Sequence, residues 1–204
     1  MTVGEGTGPA PANTAAPSAL AVESSTLSRA WVLELAASVS AAGLRYLDCP
    51  VTGGPDGVRK GALTLLAGGE AGDVEQARSL LCAFSDRVFH FGPVGCGTAY
   101  KLIVNLMGAV QAAALAEGLL VAERAGLDLA QVGEALRCGA VASPMVGYMS
   151  RRMIAGDHDD VYFAAWLRHK DAAYGLRLAE SVAQDVPTSR AATALFERAV
   201  ARGL

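Results

Sequence analysis

The feature that most constrains this chain is a change of hydrophobic period at Gly92-Pro93. Before it, short apolar stretches alternate with helical ones. Leu44 to Asp48, Leu63 to Ala67 and Val88 to Phe91 read as strands, and Ala21-Val22-Glu23 reads as the end of another. Between them, Trp31, Val32, Leu35 and Val39 recur at helical spacing, and Asp73 to Phe84 reads as a second helix. After it, strand-type alternation stops. An Ala-rich helical pattern runs from about Ala99 to Ala125, with further helices at about 129–138, 143–153, 163–186 and 188–202. The expected architecture is an α/β part of about three strands over residues 21–92, then an all-α bundle over 93–204.

Residues 1–20 contain almost no large apolar side chains, so burial cannot offset their ordering entropy, and they read as a disordered leader. Gly4, Gly6 and Gly8 do not make a phosphate loop, because no strand precedes them and the spacing is wrong. The run from Val51 to Gly57 reads as a Gly-rich turn.

Composition narrows the function. With 52% hydrophobic and 18% charged residues in 204, the chain can bury a core. A net charge of -3 argues against nucleic acid or an anionic membrane as partner. No apolar run approaches the ~20 residues of a membrane span, and no secretory signal opens the chain, so a cytoplasmic protein is expected. Four dispersed cysteines without a CxxC pair exclude a disulfide framework and a zinc ribbon. His158 in an acidic loop and His169 show no ligand-type spacing, His90 reads as structural, and the Met145, Met149, Met153 stripe as core or interface.

Of 17 basic residues only Lys60, Lys101 and Lys170 are lysines. An arginine keeps its proton in a protein, whereas a lysine can release one, so these three are the first candidates for acid–base chemistry. Lys101 and Asn105 stand four apart at the start of the long helix, on one face. Together they offer a mobile proton and a fixed carboxamide to an oxygen; alone, the pair also fits a solvated helix start. Thr52-Gly53-Gly54 follows a strand, and two glycines let backbone N–H groups approach a carboxylate closely, although a plain tight turn has the same pattern. Lys170-Asp171 reads on its own as a solvated surface pair.

Taken in order, Glu23-Ser24-Ser25-Thr26, LDCPVTGGPDGVRKGALTLLAGG, FGPVGCGTAYKLIVN and RHKDAAYGLRLA resemble the β-hydroxyacid dehydrogenase family, which includes 3-hydroxyisobutyrate, tartronate semialdehyde and 6-phosphogluconate dehydrogenases. The run Leu47 to Gly69 and the GxGxxxKxxxN spacing from Gly95 to Asn105 are its specific parts. The resemblance implies part of a Rossmann domain followed by a helical domain. It implies Lys101 as general acid/base, Thr52, Gly53 and Gly54 on the substrate carboxylate, and Asn105 on the reacting oxygen. Thr26 and Lys170 match positions that touch the cofactor, NAD or NADP. It further implies a small hydroxyacid of the 3-hydroxyisobutyrate type as substrate, and a homodimer or homotetramer formed through the helical domain.

The sequence departs from the family pattern in three places. No GxGxxG turn precedes Thr26, Leu106 stands where many relatives carry a second Asn, and Thr52 replaces the more usual Ser. The first departure removes the expected pyrophosphate loop, and with it much dinucleotide affinity. It leaves a second expectation, a non-catalytic dimerisation or binding module derived from the same family. An imine reductase, a third reading, fits less well because those relatives generally lack a Lys at the position of Lys101.

Overall fold

The computed structural model describes residues 18–157 and 161–203. The expected leader lies outside the described residues except for Ser18, Ala19 and Leu20, as do His158, Asp159 and Asp160 of the acidic loop.

The α/β part begins with β1 (Leu20–Glu23), α1 (Arg29–Ala41) and β2 (Arg45–Asp48), with β1 and β2 parallel in the register Leu20 to Arg45 through Glu23 to Asp48. Ser28 starts α1, its hydroxyl accepting the Trp31 N–H at 3.3 Å. Val32 and Val39, one face of α1, pack against Tyr46. Next come β3 (Val51–Thr52), α2 (Gly54–Arg59), β4 (Leu63–Ala67), α3 (Ala71–Leu81) and β5 (Ser85–His90). β4 runs antiparallel to β3 and parallel to β5. The two small sheets meet at one bridge: Gly68 N donates to Asp48 O at 2.7 Å and Asp48 N to Gly68 O at 3.1 Å. Leu47, Cys49, Leu65 and Ala67 form the core beneath them with Val74, Ala77 and Leu81 of α3.

Five short strands thus stand where about three are expected, because β1 is complete and a two-residue β3 pairs with β4. The Gly-rich turn also differs from its reading. From Gly54 it forms the short helix α2, because Pro55 presets a helical φ in the first turn and Asp56 pairs with Arg59 one turn on.

The helical part comprises α4 (Cys96–Arg124), α5 (Leu129–Cys138), α6 (Pro144–Ala155), α7 (Ala165–Ser181) and α8 (Pro187–Ala201). Side-chain caps explain two of the starts: Asp128 accepts from Ala130 N at 2.8 Å, and Ser143 from Val146 N at 3.1 Å. The helix expected over 163–186 stops at Ser181. Ala183 takes a left-handed φ of 54°, and the residue before Pro187 is kept out of helical geometry. Of the methionine stripe, all three members are half-buried, and Met145 packs beside Gly108 of α4.

α4 corrects one expectation. This 29-residue helix holds an 18-residue stretch of mean hydropathy 1.5, so it is long and apolar enough to cross a membrane. Intervening Lys101, Asn105 and Gln111 hide this from a search for unbroken apolar runs. Here Leu102, Ala109, Ala112, Leu115, Leu119 and Ala122 of α4 are buried, with α6, α7, α8 and β4 packed around the helix.

Candidate active site

The site is organised by how α4 begins. The first N–H groups of any helix lack intrahelical partners. Here a side chain 47 residues earlier supplies two: Asp48 Oδ1 accepts from Gly95 N at 2.6 Å and Oδ2 from Thr98 N at 2.7 Å. Asp48 and Thr98 are each 1% exposed. The approach is close enough to require glycines. A Cβ on Gly97 would fall on the Leu66 carbonyl oxygen and 2.8 Å from Gly68 N, and one on Gly68 would lie 2.5 Å from Asp48 Oδ1. The end of β4 therefore fixes the first turn of α4, and Lys101 and Asn105 follow on the next two.

α7 supplies the facing residues. Asn105 Nδ2 donates to Asp171 Oδ2 at 2.7 Å, and Asp171 is 3% exposed. Asp171 Oδ1 forms an ion pair with Lys170 Nζ at 2.8 Å, and that ammonium donates its hydrogen bond to the Thr26 carbonyl at 2.8 Å. Lys101 is half-buried beside this chain of bonds. Burial lowers its pKa, the Arg168 and Lys170 cations lower it further, and Asp171 opposes them. Arg168 is itself lowered by burial; its guanidinium sits 4.3 Å over the Phe163 ring and reaches α4 beside Gly108.

The structure therefore brings Thr26, Asn105 and Lys170 together with Lys101. The Lys170–Asp171 pair is not the solvated surface feature that its residue types suggest, because Asp171 faces the bundle. Thr52, Gly53 and Gly54 stand apart: among the described residues no hydrogen bond or ion pair joins them to this cluster. Their neighbour from the helical part is Tyr162, whose hydroxyl occupies the place a Cβ would take on Gly54. Lys60 ends α2 on the surface, and His90 Nε2 lies 2.8 Å from Gly69 O and 3.0 Å from Gly92 O, a structural link.

Arg168 and Tyr162 of the site were not singled out from sequence, and Asp171 was read only as the surface partner of Lys170. Asp171 had a signal: Leu167, Asp171, Gly175 and Leu178 share one helical face, which places a carboxylate on a core-facing stripe. Arg168 and Tyr162 had none.

A nicotinamide cofactor can be tested against the residues present. Thr26 and Lys170, 144 residues apart, meet through a hydrogen bond within reach of the Lys101 cluster, so the corner expected to meet the nicotinamide end is assembled. Among the described residues, no GxGxxG turn joins a strand to a helix to cradle the pyrophosphate. The residues fit the nicotinamide end alone.

Comparison with known proteins gives the same picture. Residues 95–204, more than half of the chain, match the family described as NAD-binding of NADP-dependent 3-hydroxyisobutyrate dehydrogenase. Residues 7–92 match the NAD binding domain of 6-phosphogluconate dehydrogenase. Glyoxylate/succinic semialdehyde reductase 2 of Arabidopsis thaliana is 33% identical over 90% of this chain and 51% of its own length. The 2-hydroxy-3-oxopropionate reductase of Escherichia coli is 30% identical over 89% of this chain and 62% of its own. The chain thus spans about half to three fifths of these relatives. A solved 3-hydroxyisobutyrate dehydrogenase from Salmonella typhimurium superposes with a TM-score of 0.86 at 28% identity, covering 94% of this chain and 67% of that one. The chain belongs to the β-hydroxyacid dehydrogenase family.

Proposed function

We propose that the chain carries the substrate and proton-transfer machinery of an NAD(P)-dependent dehydrogenase acting on a small β-hydroxyacid of the 3-hydroxyisobutyrate type. The observation that carries this reading is the bonded chain Thr26–Lys170–Asp171–Asn105 beside a half-buried Lys101 of lowered pKa. A bound nicotinamide, NAD or NADP, would supply or accept the hydride, and Thr26 and Lys170 would hold its ring.

Lys101 exchanges the proton of the reacting oxygen. In oxidation its neutral amine removes the hydroxyl proton, and in reduction its ammonium returns one to the carbonyl oxygen. Asn105 holds that oxygen, and its carboxamide is kept from rotating because Asp171 takes one of its N–H bonds. The Thr52 hydroxyl and the backbone of Gly53 and Gly54 bind the substrate carboxylate. A homodimer or homotetramer forms through α4, where Ile103, Met107 and Val121 share an apolar face, each about half exposed or more.

The test is a rate measurement with NADPH and NADH on small semialdehyde acids, comparing the chain with Lys101→Ala. A loss of roughly 10²–10⁴-fold is expected on removing the acid/base. Equal background rates for both proteins would refute the enzyme and favour the non-catalytic module.

A further inference from the structure

We propose that Tyr162 is a substrate-binding residue whose phenol hydroxyl donates a hydrogen bond to the substrate carboxylate at the Gly53–Gly54 turn. This rests on reading that turn as the carboxylate site. Gly54 has a φ of 60° and Gly53 one of 132°, so the turn needs glycine for its backbone. At Gly54 it needs glycine for a second reason as well: the Tyr162 hydroxyl fills the space of the missing side chain.

The ring is held there by packing. Tyr162 sits against Tyr148 with centroids 4.8 Å apart and planes at 49°. The Tyr148 hydroxyl accepts from Arg152 Nη1 at 3.0 Å, and the Arg152 guanidinium lies 5.5 Å from the Tyr148 ring centre. The half-buried Tyr162 side chain is therefore braced from behind, while its hydroxyl makes no hydrogen bond to any described residue. The hydroxyl thus stands at the turn as an uncommitted donor, open to an oxygen of a ligand bound there. A carboxylate has about four acceptor positions, so it can take turn N–H groups and the phenol O–H at once.

The test uses the full chain, labelled with ¹⁵N and titrated with 3-hydroxyisobutyrate or with 2-methyl-1,3-propanediol, which replaces the carboxylate by an alcohol. The acid should shift the Gly53 and Gly54 amide signals. Tyr162→Phe should weaken acid binding about tenfold, the scale of a hydrogen bond to a charged group, with diol binding and Tm unchanged. Gly54→Ala, whose methyl displaces the phenol, should weaken the acid as much, and adding Tyr162→Phe to it should cost nothing more. Unchanged acid affinity in Tyr162→Phe, or an equal loss for the diol, overturns the assignment while the carboxylate turn stands. If the acid moves neither glycine amide in the unmodified chain, the turn is not the carboxylate site and the Tyr162 role falls with it.

Discussion

The carboxylate of Asp48, at the end of β2, accepts the backbone N–H of Thr98 in the first turn of α4 at 2.7 Å. Its other oxygen holds Gly95 N, so one buried side chain sets where the helix bearing Lys101 starts. Asp48→Ala leaves two buried donors without partners and should cost about 3 kcal/mol in urea unfolding, given the strength of charged hydrogen bonds. Asp48→Asn keeps one acceptor oxygen and should cost less. Equal stability of all three proteins would show that the cap is not structural.

Two glycines of α4 should respond with opposite signs. Gly97→Ala drives a methyl into the Leu66 carbonyl and should lower Tm clearly. Gly118→Ala meets nothing within 4 Å and should raise stability by about 1 kcal/mol, the ordinary helix preference for alanine.

Lys101 gives a pH dependence whose sign follows from burial. Its folded pKa lies below the unfolded value, so between the two the unfolded chain binds more protons and stability rises with pH. Lys101→Met, which removes the buried charge, should therefore raise Tm at neutral pH and raise it less in alkali. In kinetics, the oxidation rate should climb with pH through the lowered pKa and the reduction rate should fall. A pH-independent Tm difference would argue that Lys101 keeps its ordinary pKa.

Asp171→Ala strands the Lys170 charge and the Asn105 carboxamide. Removing one member of a buried ion pair costs about 3–5 kcal/mol, and chemical denaturation should read a loss near that size. Asp171→Asn, close in shape, should recover part of it.

The exposed face of α4 predicts assembly. Met107→Glu and Val121→Glu place charges on its apolar stripe and should shift sedimentation toward the monomer with little change in helix content. An unchanged sedimentation coefficient would place any subunit contact elsewhere.

The parts of the site legible in sequence were the local ones. Lys101 and Asn105 stand one helical turn apart, and that spacing carries the information by itself. Asp171 was misread because its partners are not local: Asn105 is 66 residues away, and Lys170 alone, as an adjacent partner, suggests a surface pair. The helix α2 was hidden by glycines that signal a turn even where a proline makes helical geometry cheap. Tyr162 was invisible because its meaning depends on a gap at Gly54, and a missing side chain leaves no periodicity. The order of an α/β part followed by a helical part was legible, since each shows its own period over many residues.

The Lys170 contact with Thr26 also bears on how the protein is made. During translation, Lys101 and Asn105 emerge long before the helix that will face them, and no nascent chain ending short of Asp171 can close the site. Closure of that corner therefore depends on a late, long-range docking step and not on the helix that carries the amine alone.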